Sequence, residues 1–494
     1  MILANLKGCL LMKLLLINPY FNSLIYSPTL GLSFLATYIK EHSRCEVAVI
    51  EPVTETLDAA ELLVKIKETD FLGLTCYTES RFQCFDFAKK AKVANPRCQI
   101  IVGGPHVMSL SKQVLEHYSF VDIVIRGEAE DALLEIINGK ALSEVNGITW
   151  RRNAEVIQNS DRIFCRDLSL FHLDYSLIYP EIKNWKDKEI PYAMQQVNHL
   201  PIISSRGCPY RCTFCASNNQ WGKLWRGLAP EKMVEELTHL VNKYNIGYFR
   251  FYDALFIGSD SQAYKFCDLL EQARLKITFR IDIRVGTKPA VLKRLREVGC
   301  SVVGFGIESG SDRILKRINK GITRKQIDET IDVCKTLGYW LLGFFMISLP
   351  DETPEDFKKT AELFHRFDVF NLQFFKIHPD TSFYEELKAK GELSDEIWFE
   401  TERGEEIFYS KETFPSSNYY RSEVEKRAKA IYLSQNIRKP FTAIKNHGLL
   451  RGCRTVLFSM IQLTLLPSKR ATDFLDCLKR GWLGKLFKSR RYWR

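Results

Sequence analysis

Two series of continuous apolar runs, each alternating with amphipathic segments, constrain the fold of this 494-residue chain more than any other feature. In the first, from Lys13 to about Trp150, LLLINP, EVAVIEP, FLGLTCY, QIIVGG and DIVIRGE predict buried strands. Helical patterns occupy Leu30 to His42, Ala59 to Glu68, Arg81 to Ala94 and Lys112 to His117. Strands apolar on both faces belong in a parallel sheet covered by helices. Ligands of such sheets bind at the carboxyl ends of the strands, which here carry Asn18, Pro19, Thr75, Tyr77, Thr78, Gly103, Gly104, Gly127 and Glu128.

An irregular connector rich in aromatic and charged residues follows, and then a second series begins. PIISS, YFRFY, ITFRIDI, SVVGFGI, WLLGFFMISL and VFNLQFFKI alternate with helical segments near Pro230 to Tyr244, Ser259 to Ala273, Pro289 to Val298, Arg324 to Leu337 and Pro354 to Phe367. Val234, Leu237, Val241 and Tyr244 recur at helical spacing in the first of these, as one buried helix face requires. Six such units make an open, partial (β/α)6 barrel, with its reaction site on the loops at the strand carboxyl ends. The expected architecture is therefore α/β: a Rossmann-like first domain over 13–150, a linker over 151–194, the barrel over 195–395, and a small, mostly helical cap with a basic tail over 396–494.

Composition fits a folded chain, with 46% hydrophobic and 26% charged residues, both near globular averages. The net charge of +11 would ordinarily suggest nucleic acid or an anionic membrane as partner. Its distribution argues against nucleic acid, because Lys469, Arg470, Lys479, Arg480, Lys485, Lys488, Arg490, Arg491 and Arg494 oppose only Asp473 and Asp476, leaving the rest nearly balanced. In the same tail Phe474, Leu475, Leu478, Trp482, Leu486 and Phe487 can share a face, which fits either weak peripheral membrane contact or docking onto the barrel. The apolar stretch Val456 to Leu466 is too short to cross a bilayer, which takes about 20 residues. The opening LLLINP reads as a first strand rather than a cleaved leader. Most of the fourteen cysteines stand singly among apolar residues, as Cys76, Cys267, Cys300 and Cys334 do. That usage suits small buried groups in a reducing cytoplasm.

One cysteine group is different. RGCPYRCTFCAS places Cys208, Cys212 and Cys215 at spacings of four and three, in the loop after the first strand of the second series. Three thiolates there can converge on a metal centre. A closed zinc site wants a fourth Cys or His, and none follows at finger-like spacing. Three ligands to a four-iron cluster leave one iron open to a substrate or cofactor, whereas four cysteines suit simple electron transfer. CPYRCTFC resembles the CxxxCxxC signature of the radical S-adenosylmethionine (SAM) superfamily, including the aromatic residue before the last cysteine, Phe214. The resemblance implies a 4Fe-4S cluster on these cysteines and SAM on the open iron. It also implies one-electron cleavage of SAM to a 5′-deoxyadenosyl radical, drawing on an electron donor such as a flavodoxin or ferredoxin.

Further segments resemble this superfamily in order over most of residues 195 to 395. FYDALF resembles a motif that usually carries paired acids, with Asp253 matching the first and Ala254 replacing the second. Arg284 follows the third strand and by resemblance contacts the SAM carboxylate, for which a guanidinium fork is suited. GFGIESGS places Glu308 at a SAM-contacting position at the end of the fourth strand. A structural ion pair is the alternative for Arg284 and Glu308. GFFMISLPDET resembles the pattern GxFMIGLPGET, but Ser348 and Asp351 stand where glycines are usual, as Asp380 does in the exit segment HPDTSFYEELKAKGEL. The substitutions at Ser348 and Asp351 leave room for an altered local turn without loss of SAM binding.

The first domain resembles the cobalamin-binding domain that precedes the barrel in one large radical SAM subgroup. NPYFNSLIYSPTLGLSFLATYI, GLTCYTES, IIVGGPH and DIVIRGEAE match its pattern in order over about residues 13 to 140. The resemblance implies cobalamin at Asn18, Pro19, Thr75, Gly103 and Gly104. No D-x-H-x-x-G run occurs, so the histidine that binds cobalt from below in many such domains has no match, and His42, His106 and His117 read as surface or packing residues. The whole is similar to a cytoplasmic cobalamin-dependent radical SAM methyltransferase acting on an unactivated carbon of a small molecule. Oxidative cyclisation or rearrangement is the alternative reaction. A corrinoid- or nucleotide-binding regulatory module with a structural cluster is the non-enzymatic one.

Overall fold

The computed structural model describes residues 11–19, 29–50, 59–177 and 200–400. The first sheet has strands β1 (Lys13–Ile17), β2 (Glu46–Ile50), β3 (Phe71–Thr75), β4 (Gln99–Gly103), β5 (Ile123–Ile125), β6 (Ile148–Arg152) and β7 (Glu155–Gln158), in the order β2-β1-β3-β4-β5-β6-β7. Its first five strands are parallel, as their uninterrupted apolar character requires: Leu14 to Ile17 and Phe71 to Thr75 are buried throughout. The flanking helices Leu30–His42, Ala59–Lys67, Arg81–Ala94 and Ser111–His117 lie within a residue of the expected segments.

The sheet also continues past the expected boundary at residue 150. β6 joins β5 antiparallel and β7 joins β6 in a tight hairpin, with Thr149 opposite Gln158 and Arg152 opposite Glu155. Asn153 at the turn takes the left-handed conformation, φ 55°, which asparagine tolerates better than most residues. Within the described part of the connector, Tyr175 is buried and donates its hydroxyl to the Pro201 carbonyl beside the second sheet at 2.9 Å.

The second sheet is built from β8 (Leu200–Ile202), β11 (Tyr248–Phe251), β12 (Thr278–Ile283), β13 (Cys300–Glu308), β14 (Trp340–Ile347) and β15 (Val369–Phe374). Its order is β15-β14-β13-β12-β11-β8, every pair parallel. Between β8 and β11 a short antiparallel pair, β9 (Ser205–Arg206) and β10 (Arg226–Gly227), brackets the cysteine loop. This is the six-stranded open barrel that the sequence predicts. The helices are closed by their own sequence signals. Thr323 and Thr353 each cap a helix through the third following residue, Gln326 and Asp356, and Pro230, Pro289 and Pro354 open helices where a missing N–H costs nothing. Among the described residues no helix is long and apolar enough to cross a membrane. The expected C-terminal cap beyond residue 400, the segment SEVEKRAKAIYLSQNI and the basic tail lie outside the described residues.

Candidate functional site

Cys208, Cys212 and Cys215 occupy the loop between β9 and the helix Ser217–Trp221, each partly exposed and none in a disulfide. The loop is held by backbone bonds. Cys215 N–H meets the Cys212 carbonyl at 3.2 Å, and Thr213 N–H reaches the Ile318 carbonyl at 3.0 Å. Burial lifts the thiols of Cys208 and Cys212 above the ordinary range, while Arg284 and Lys320 pull both back. Three free thiols on one short loop, with Arg284 and Lys320 acting on Cys208 and Cys212, are the donor chemistry an anionic thiolate cluster needs, while among the described residues no three ligating side chains are gathered closely enough to hold a metal ion.

The ends of the barrel strands gather around this loop. Asp253, directly after β11, is buried and accepts from Ser204 N–H at 2.8 Å, Ser205 N–H at 2.7 Å and the Ser204 hydroxyl at 2.7 Å. Burial pushes its carboxyl up to about 6 against the pull of those donors. Asp253 thus fixes the backbone entering the cysteine loop, and the neighbouring position of the motif is Ala254. Arg284 lies over the Tyr210 ring, 3.5 Å from its centre, and donates to the Lys320 carbonyl. Glu308 ends β13 with φ 63°, a left-handed conformation that costs a glutamate on the order of 1–3 kcal/mol and commonly marks a working residue. Phe214 packs partly buried against the core, with the Lys320 ammonium 5.9 Å from its ring centre.

Sequence reasoning missed Lys320. Its ammonium is 2.8 Å from Glu308 Oε1 and only 9% of the residue is exposed. Burial pulls its pKa down, yet the Glu308 carboxylate outweighs that and the net direction is upward. The readable signal was the Asn-Lys-Gly turn, in which Asn319 (φ 49°) and Gly321 (φ 65°) both take left-handed conformations that aim the intervening side chain inward. A Cβ at Gly306 would sit 2.7 Å from Glu308 Oε1 and 2.8 Å from Lys320 Nζ, so a larger residue there would push the ends of this ion pair aside.

Ser348, Asp351 and Asp380 all take a left-handed backbone, with φ of 62°, 66° and 59°, a conformation that glycine adopts more readily. Side-chain and backbone contacts hold them there. Ser348 N–H donates to Glu352 at 2.6 Å, Asp351 accepts from Arg317 Nε at 2.7 Å, and the Asp380 carbonyl accepts from Asn219 at 2.7 Å.

In the first domain Asn18 and Pro19 are buried after β1, and Asn18 donates to Thr29 Oγ1 at 2.8 Å. Thr75 ends β3. Gly103 and Gly104 differ in role. Space at Gly103 is open, whereas a Cβ on Gly104 (φ 103°) would meet the Cys76 backbone at 2.7 Å, so Gly104 lets two strand exits cross. His42 is exposed and bonded to the Tyr38 carbonyl, and His117 packs on Tyr118 and Phe399. His106 is fully buried beneath Trp398, edge-on at 5.9 Å, and burial drives its pKa down to about 3.

The strand ends of the two sheets meet. Arg206, two residues before Cys208, donates to Glu128 at 3.0 Å and to Glu130 at 2.7 Å, just after β5 of the first sheet. Glu79, after β3, pairs with Lys376, after β15, at 3.4 Å. Two cofactor edges predicted separately from sequence therefore form one interface.

With this geometry, comparison with known proteins is direct. Residues 202–364 match the radical SAM superfamily and residues 23–137 match the B12 binding domain. An uncharacterized methyltransferase of Pyrococcus horikoshii is 32% identical over 384 residues, covering 74% of this chain and 80% of that protein. The anaerobic magnesium-protoporphyrin IX monomethyl ester cyclase of Rubrivivax gelatinosus is 26% identical, over 78% of this chain and 71% of its own. Among solved structures, the radical SAM methyltransferase TsrM of Kitasatospora setae superposes with a TM-score of 0.64 at 15% identity, covering 76% of each chain. The cobalamin-dependent radical SAM enzyme OxsB does so with a TM-score of 0.64 at 18% identity, covering 95% of this chain and 75% of its own. The chain belongs to the cobalamin-dependent radical SAM enzymes. Its cofactors are a 4Fe-4S cluster, SAM and cobalamin.

Proposed function

We propose that the protein methylates an unactivated carbon of a small-molecule substrate. The observation that carries this reading is the direct contact of Arg206, beside the cluster cysteines, with Glu128 and Glu130 at the edge of the cobalamin domain. The cluster with SAM supplies a hydrogen-abstracting radical, and cobalamin supplies a methyl group. The chain's own residues do the rest. Cys208, Cys212 and Cys215 hold the cluster, and Arg284, Glu308 and Lys320 present the charges that a zwitterionic amino-acid group needs. Lys320 and Arg284 suit its carboxylate, and Glu308 suits its ammonium. Asp253 positions the cluster loop through Ser204 and Ser205, and Phe214 packs beside Lys320. Asn18, Pro19, Thr75 and Gly103 line the edge that receives cobalamin. The electron comes from a flavodoxin or ferredoxin in a reducing cytoplasm, a setting supported by the free, mostly buried cysteines.

The test supplies SAM with a deuterated methyl group alongside candidate substrates from the gene neighbourhood. Label should enter the product, with 5′-deoxyadenosine and S-adenosylhomocysteine formed in about equal amounts, since one SAM yields the radical and a second restores the methyl donor. Unlabelled product accumulating with 5′-deoxyadenosine alone would establish the cyclase or rearrangement reading, which the similarity to the Rubrivivax cyclase favours. A separate expectation concerns the cobalt. His106 is enclosed by the core and held neutral, so His106→Leu should leave the absorption and paramagnetic spectra of bound cobalamin unchanged. Loss of nitrogen hyperfine structure in that variant would make His106 a ligand.

A further inference from the structure

Successive side chains of the barrel strands alternate between the helix layer and the interior. Phe251 and Phe279 face the helices, packing edge-on at 5.9 Å from each other and at 6.3 and 6.0 Å from Phe266. Their alternates on β11 and β12, Arg250 and Arg280, therefore share the interior face with Tyr252 and Asp282, and the two arginines stand directly opposite each other in register. Like charges in that arrangement are unfavourable. Arg280 has a counter-ion in Asp282 at 3.2 Å. Arg250 donates to the Tyr252 hydroxyl at 2.8 Å and lies over the same ring at 3.9 Å. Its buried Nε has no acceptor, and among the described residues no carboxylate pairs with it. Burial and the neighbouring Arg280 both push the Arg250 pKa down.

We propose that Arg250 and Arg280 form the floor of the substrate site and bind an anionic group of the substrate, a carboxylate or phosphate. Two guanidinium forks facing one carboxylate leave a cationic excess inside the barrel, and planar forks suit both anions. The position fits a substrate rather than SAM. Arg284, at the SAM site, lies four residues beyond Arg280 and just past the end of β12, about 13 Å along the chain direction at the usual strand rise. A substrate anchored at the floor would present a carbon about that far from its anionic end to the barrel mouth. On the inner face of β15, Asn371 and Gln373 are exposed, so among the described residues this side of the barrel is open to entry. The proposal rests on the reading of the barrel as the reaction chamber.

The test needs no turnover. Full-length, cluster-containing protein is titrated with inorganic phosphate and, separately, with glutarate, following thermal unfolding and heat of binding. Arg250→Gln and Arg250→Lys are compared at constant ionic strength. Wild type should show saturable stabilisation by at least one anion, and the stronger of the two identifies the substrate's anionic group. Arg250→Gln should weaken it by about tenfold or more, with Arg250→Lys intermediate, iron content and SAM affinity unchanged, and no loss of anion-free stability. Equal anion affinity in wild type and Arg250→Gln, or no saturable response to either anion, would overturn the site. So would a large anion-free destabilisation of Arg250→Gln, which would mark Arg250 as structural. Failure of the labelled-methyl experiment alone would leave these binding results standing.

Discussion

Anaerobically purified protein should be brown and hold about four irons per chain, and Cys208→Ala, Cys212→Ala and Cys215→Ala should each lose the cluster and all detectable SAM cleavage. The expected loss is at least about 1,000-fold, larger than the 10- to 100-fold typical of changes one layer out from a metal, because only three protein thiolates serve four irons. The barrel itself should survive. The three cysteines lie partly exposed on a loop between β9 and the next helix, and the strands are held by pairs such as β13 with β14 that do not involve them. Far-ultraviolet circular dichroism should therefore stay close to wild type while iron falls. Stoichiometric zinc with no iron after anaerobic reconstitution of the wild type would defeat the assignment.

What the sequence made legible follows from the range of its signals. Apolar runs located the parallel strands, unbroken where both faces are covered, as in β1 and β3, and alternating with polar residues in β11, β12 and β15. CxxxCxxC located the cluster loop because its ligands are local. The hairpin of β6 and β7 was missed because its residues, from Thr149 through Arg151, Arg152 and Glu155 to Gln158, are polar enough to read as connector. Lys320 was missed because its partner Glu308 is 12 residues away across a helix and two turns. The contacts at Ser348, Asp351 and Asp380 were not legible, because they come from Glu352, Arg317 and Asn219, and the last two lie far along the chain. Glu128 was placed at a strand end, but its counter-ions lie 78 and 98 residues downstream, beyond any periodic signal.

Those counter-ions make the loss of Glu128 costly to the fold. Its Oε1 accepts from Arg206 at 3.0 Å and Arg226 at 2.8 Å, and its Oε2 accepts from Cys165 N–H at 2.9 Å. Arg206 also reaches Glu130 at 2.7 Å and packs over the rings of Phe171 and Trp221. The side chains of all four charged residues are 4–6% exposed. As a set of two arginines and two glutamates the cluster is neutral. Glu128→Gln keeps the shape but strands a buried guanidinium charge, a change that costs about 3–5 kcal/mol. In a protein of this size that should lower Tm by about 3–5 °C. The Glu128→Gln/Arg226→Gln pair should lose less than the two single changes summed, because the second removes the charge stranded by the first. A functional signature separates positioning from bulk stability. With the cysteines intact, Glu128→Gln at a temperature where it stays folded should still form 5′-deoxyadenosine, while the ratio of S-adenosylhomocysteine to 5′-deoxyadenosine falls well below one, because the cluster loop is no longer fixed against the cobalamin edge. Unchanged Tm together with an unchanged product ratio would remove this ion cluster from any part in aligning the two cofactors.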